Sequence, residues 1–522
     1  MGIVETRFDT QAGSSCTFCL YKPGAYSSSG SSHKESDTNM KEAKKVPVGY
    51  TLIQKIWQLR LRVAGMVFAA LLFVLLAPTL AYAGSGPDWP TYQNEIGRSG
   101  DNSAETTISP TTAPNLKLHW MHSAAGSIST QPVVANNLVY WGSWDNGTEH
   151  TTNFSNARIW TYNTGVTTDN SCIPTTAGIA STTTVATVPI NGTSTSVAFF
   201  GGGTATMYAL NALTGKLIWS TNLGSSPSHF IWSSPAVYNG SVYIGVSSFG
   251  DCPLVAGQVV QLNASTGAIQ HIFNTVPSGC VGAGVWGSPT IDPAGNGGQG
   301  AVYITTGNNG NCSSSEPYAY AIVELSAANI STVIGSWSVP SSQQVSDSDF
   351  GATPTLFTAN GQNMVGGVNK NGIFYAFKRD ALGSGPVWQT RVGNGGDCPQ
   401  CGTGNISPAA WDGTTLYEGS GNITINGKAC KGSVDAINPA NGSFIWRHCM
   451  NDGPVLGPIA VANGVVAAGQ GRYLMVLAAS NGNTLFRFED TNSGSLFYGG
   501  PSISHGVIYI GNMDGRLYAI GT

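Results

Sequence analysis

Two aspartates one residue apart, Asp347 and Asp349, stand in the stretch Asp347-Ser348-Asp349-Phe350-Gly351. Side chains two apart on a strand point the same way. Such a pair could share a cation or raise the pKa of one member; in a solvated loop it would do neither. Cysteines are the second group with chemical potential. Cys16 and Cys19 form a CxxC, but no further pair of ligands lies at a spacing that would complete a zinc site. Cys398-Pro399-Gln400-Cys401 has the same spacing; outside the cytosol its expected role is a local loop staple. Cys172, Cys252, Cys280, Cys312, Cys430 and Cys449 bring the cysteines beyond residue 83 to an even number. That suits disulfides, with the pairing open. No nucleophile elbow, HExxH zinc motif, phosphate loop or CxxCH haem site is present.

The elements that would carry these residues are short strands. Gly is abundant at 68 of 522 residues, and 41% of the chain is hydrophobic. Only 10% is charged, with a net charge of −4. This composition argues against disorder and against a nucleic-acid partner, which needs clustered Lys and Arg. The strongest pattern is a repeat. Ala209, Gly215 and Trp219 recur in the same frame as Ala436, Gly442 and Trp446. Weaker copies run through Gln261, Gly267 and His271, and through Val476, Gly482 and Phe486; a longer copy spans Ala376 to Trp388. A Pro-led pair of apolar strands joined by a turn precedes them, as from Pro235 to Gly245. Alternating apolar residues give strands, and Asn-Gly or Thr-Gly pairs give turns. Four such strands make a blade, and one blade cannot cover its own faces, so blades must close a ring.

Outer-strand markers fall at Trp120, Trp160, Trp219, His271, Trp337, Trp388, Trp446 and Phe486. The expectation is an all-β, single eight-bladed β-propeller of residues 84–522, with seven blades as the alternative because the Trp120–Trp160 unit is poorly patterned. The C-terminal Gly515-Arg516-Leu517-Tyr518 strand lacks an outer partner, which Leu116-Lys117-Leu118-His119-Trp120 can supply. That closure would join the two ends and remove exposed edges.

Before the propeller, Lys55, Arg60 and Arg62 precede an uncharged stretch from Val63 to Leu80, then Ala81-Tyr82-Ala83. This is the order of a secretory signal, and residues 63–80 would alternatively suit a short membrane anchor. Either places the propeller outside the cytoplasm. The polar extension 1–50 is expected to be disordered or to precede a truer start at Met40.

The repeat frame resembles the tryptophan-docking motif of quinoprotein alcohol dehydrogenases, and Asp88-Trp89-Pro90-Thr91-Tyr92 looks like the start of many such domains. The likeness covers most of residues 84–522, and is closest in feel to polyvinyl-alcohol-dehydrogenase-like members. It implies pyrroloquinoline quinone, usually with calcium, on the ring axis. By the same resemblance Trp286 would lie beneath the quinone and Lys370, before Asn371-Gly372, would reach its oxygens. Asn308 of Thr306-Gly307-Asn308 would ligate the metal. Asp347 would touch the metal and take the alcohol proton, with Asp349 as its rival. The family's Trp before this Asp is Ser346 here. Its metal-binding Glu is missing from Ser247–Cys252, where Asp251 is the nearby carboxylate. The adjacent-cysteine pair found in several members is also missing. The implied function is oxidation of an alcohol, polyol or sugar, with electrons passed to a separate acceptor. The alternative is a non-catalytic propeller that binds a partner, since such propellers share the motif.

Overall fold

The computed structural model describes residues 87–522 except Asn311 and residues 492–494. The N-terminal extension and the signal or anchor stretch lie outside the described residues. Among the described residues no helix is long and apolar enough to cross a membrane.

Eight four-stranded antiparallel sheets form the blades. Blades 1 to 7 span 133–163, 184–222, 236–274, 290–338, 355–391, 410–450 and 460–489. Blade 8 joins 502–521 to the N-terminal strand Lys117–Ser123, which pairs with Arg516–Gly521. The ring therefore closes as expected, with eight blades and not seven. The Trp120–Trp160 unit is an ordinary four-stranded blade despite its weak pattern.

The repeat works by docking. Trp120, Trp160, Trp219, Trp388 and Trp446 each donate the indole N–H to a carbonyl of the next blade. Trp160 reaches Ala212 at 2.8 Å, Trp219 reaches Ala264 at 2.9 Å, Trp388 reaches Pro439 at 2.8 Å and Trp446 reaches Ala479 at 2.8 Å. The repeat Gly lies against the indole of the blade before it. A Cβ on Gly215 would come within 2.7 Å of the Trp160 ring, and one on Gly267 within 2.6 Å of Trp219. The frame thus joins neighbouring blades as well as closing a turn.

A second device was not legible in the pattern. Residues 87–102 run across the ring axis and bond to the innermost strand region of every blade. Trp89 pairs with Val134, Pro90 accepts from Val185, and Ile96 accepts from Ile291. Gly97 accepts from Leu356, Ser99 from Trp411, and Asn102 donates to Val461. The Asn102 amide also donates to Ile503 at 2.8 Å. Arg98 is fully buried; its guanidinium donates to the carbonyls of Tyr92, Pro235 and Pro289 and to the Thr91 hydroxyl. This segment forms a hub that ties the inner strands of the eight blades together.

Candidate functional site on the ring axis

The chain reaches one face of the ring twice per blade, after the second strand and between blades. Every residue that the resemblance marked for the cofactor, the metal or catalysis falls on these loops. Asp251, Asn308 and Lys370 follow the second strands of blades 3, 4 and 5. Trp286 lies between blades 3 and 4; Asp347 and Asp349 lie between blades 4 and 5. Consecutive blades thus deliver residues distant in sequence to one place.

Lys370 is the centre. Its ammonium donates to Asp347 Oδ2 at 2.7 Å and to Asp349 Oδ2 at 2.8 Å. It also stands 5.3 Å from the Trp286 ring centroid. Asp349 Oδ1 accepts from the Asn308 backbone N–H at 2.5 Å. The expected carboxylate pair therefore exists, but on a turn and not on a strand. Burial, then the Asp349 charge, push the Asp347 carboxyl up to about 6. Burial alone would lower the Lys370 pKa; the two carboxylates outweigh it and hold it above the ordinary lysine value. Asp347 Oδ1 is buried without a hydrogen-bond partner.

The backbone around the cluster is tied down. Lys370 N–H donates to Asp349 C=O at 2.9 Å, Phe350 N–H to Thr306 C=O at 3.1 Å, and the Asn369 amide to Ser348 C=O at 2.6 Å. Trp286 packs on Gly351, where any Cβ would sit 2.0 Å from the indole. Glycine is required there, and it lets the indole lie beside the acidic turn.

Asn308 meets the cluster through its backbone. Asp251 is more open to solvent, with a hydrogen bond from Ser248 Oγ at 3.2 Å. The crowding of the loops around it, then the Asp349 charge, raise its pKa, while Lys370 lowers it. It therefore belongs to the same electrostatic neighbourhood without touching the triad of charges. Sequence reasoning missed Tyr498, whose hydroxyl feels the Lys370 charge and is otherwise raised by burial. It comes from the far end of the chain and sits in no motif.

Four disulfides staple loops on this same face: Cys172–Cys252, Cys280–Cys312, Cys398–Cys401 and Cys430–Cys449. The CxxC is a local staple, as expected.

The comparisons with known proteins agree with this architecture. A family model described as outer membrane protein assembly factor BamB matches residues 182–314 and 430–522. A polyvinylalcohol dehydrogenase from Pseudomonas sp is 23% identical over 463 residues, covering 76% of this chain and 68% of the relative. The quinohemoprotein alcohol dehydrogenase of Comamonas testosteroni superposes with a TM-score of 0.63 at 18% identity, over 83% of this chain and 80% of that one. This chain shares its eight-bladed propeller fold with that enzyme. A europium-containing methanol dehydrogenase superposes with a TM-score of 0.65 at 14% identity, over 84% of this chain and 99% of that one.

Proposed function

We propose that this quinoprotein-like propeller is an extracytoplasmic oxidoreductase that uses pyrroloquinoline quinone to oxidise an alcohol, polyol or sugar and passes the electrons to a separate acceptor. The observation that carries the reading is the buried Lys370–Asp347–Asp349 cluster beside Trp286. Relatives named polyvinylalcohol dehydrogenase support an alcohol as the substrate class. Disulfides on the loop face support a compartment outside the cytoplasm.

The residues present suit the cofactor, and Asp347, beside Asp349 and Asn308, would be the place for a hard cation. Trp286 offers a broad π face, and Lys370 offers a positive charge where a reduced quinone would be negative. Asp347, Asp349 and Asn308 offer oxygen donors of the kind calcium takes, with Asp251 at the edge of the cluster. The partnerless Asp347 Oδ1 is the best-placed sign of a missing partner. One structural neighbour is a europium-containing enzyme, so trivalent lanthanide ions belong beside calcium in any trial. When bound, the quinone supplies the two-electron acceptor. Asp347 then holds a basic oxygen that takes the substrate hydroxyl proton, its basicity favoured by a raised pKa. Lys370 fixes the position of both carboxylates.

A second reading, a non-catalytic binding propeller, is favoured by the description of the matching family model and by Ser346 and Asp251 at positions where the resembled family has Trp and Glu. One titration separates the two. Quinone with calcium or lanthanum is added to residues 84–522 while Trp fluorescence is followed. Saturable quenching lost in Lys370→Ala/Asp347→Ala supports the enzyme and justifies a dye-linked screen of alcohols. No binding to the folded domain up to millimolar cofactor leaves the binding module.

A further inference from the structure

Cys398 and Cys401 close a short turn in the connection between blades 5 and 6. Among the eight described cysteines Cys401 alone is exposed; the rest are buried or half-buried. This cystine also does least for the fold. A disulfide stabilises by removing freedom from the unfolded chain, more for longer loops. Here the separation is 3 residues, against 19, 32 and 80 for the others. Exposed cystines are the labile ones, and the CxxC arrangement lowers thiol pKa values and so favours exchange.

Its position gives the chemistry a target. Gly396 N–H donates to the Lys370 carbonyl at 3.1 Å. Gly395 lies so close to Asn371 that a Cβ there would meet the Asn371 carbonyl oxygen at 2.8 Å. Asp397 Oδ2 accepts from Ser346 Oγ at 3.3 Å, one residue before Asp347. The three residues before Cys398 thus touch both segments that carry the charge cluster.

We propose that Cys398–Cys401 is a thiol-exchange site, a reactive cystine that takes a small thiol or dithiol and couples its redox state to the placement of Lys370 and Asp347. The reductant thiolate attacks Cys401 Sγ; the S–S bond breaks and Cys398 leaves as a thiolate, which takes a proton from water. A second thiol attacks the mixed disulfide and frees Cys401. Two thiols of the reductant end as one disulfide, and the cystine gains two electrons and two protons. Only the consequence for catalysis rests on the quinone reading, and the experiment contains no cofactor, so the two can fail separately.

The native, folded domain is titrated with dithiothreitol, then with reduced glutathione. Free thiols are alkylated and mapped by peptide mass spectrometry, with amide hydrogen exchange followed in parallel. Cys398 and Cys401 should be alkylated at roughly tenfold lower reductant than any other pair. Exchange at 368–371 and 345–350 should then accelerate about tenfold while blades 1 to 3 stay unchanged. A Cys398→Ser/Cys401→Ser variant should show the same fast exchange without reductant. Another cystine opening first, or all four opening only on unfolding, overturns the site. Selective opening with unchanged exchange around Lys370 overturns the coupling.

Discussion

Lys370 balances two carboxylates in a site that is mostly shielded from water, and breaking such a group leaves an uncompensated charge. Lys370→Met should therefore destabilise the domain by about 3 kcal/mol, read as a lower midpoint in urea. Adding Asp347→Asn and Asp349→Asn to the same chain should recover most of the loss. Glu149 makes the opposite case, a buried acid with little support. It is fully buried, Thr183 Oγ1 donates to Oε1 at 2.5 Å, and Oε2 has no partner. Burial pushes its carboxyl up to about 8. The unfolded chain releases this proton near the ordinary value of 4.5 and the folded chain keeps it. Stability from this group is thus complete below about 4.5 and falls as pH rises toward 8. Glu149→Gln should flatten the decline in melting temperature across that window; an unchanged slope would show that Glu149 is not its source.

The blade-to-blade joint is the unit at the scale of elements. Gly215 has a φ of +67° and faces the Trp160 ring at 2.7 Å; Gly240 has a φ of +76° with nothing within 4 Å. Both substitutions to Ala strain the backbone, by about 1 kcal/mol. Only Gly215→Ala also drives a methyl into an indole, and overpacking adds about 1–3 kcal/mol. Chemical denaturation of the two variants should show Gly215→Ala as clearly the worse. Equal losses would mean that the repeat glycine serves the turn alone. The repeat frame made this joint legible, because Gly and Trp recur at one spacing. The direction of docking, Trp onto the following blade, was not legible, since spacing carries no handedness.

At the scale of the whole molecule, the ring is held at its rim by the pairing of Lys117–Ser123 with Arg516–Gly521 and at its centre by the hub. Arg98 is the part of the hub on which most bonds converge. Replacing it with Met would leave the carbonyls of Tyr92, Pro235 and Pro289 without these donors in the dry interior. Unpaired buried groups cost about 1–3 kcal/mol each, so Arg98→Met should lower the melting temperature more than any surface Arg→Met control. Retained stability would mean that the hub is an ornament of the fold.

Period-two strands, positive-φ turns and the Gly–Trp frame are local or short-range properties, so the sequence by itself determined the all-β class and the closing strand; it put eight blades ahead of seven, and the folded ring settled the count. Its motifs, through the family resemblance, also marked Trp286, Asn308, Asp347 and Lys370 as candidate site residues. What it could not decide was which of these meet. The axis of a ring gathers side chains from blades far apart in sequence, and distance across the axis leaves no periodic trace. Tertiary structure alone decided that Lys370 bridges Asp347 and Asp349, that Asn308 touches Asp349 through its backbone, and that Asp251 stays at the edge. It alone put Tyr498 within reach of the Lys370 charge and Arg98 at the centre of the hub, because both depend on ring closure.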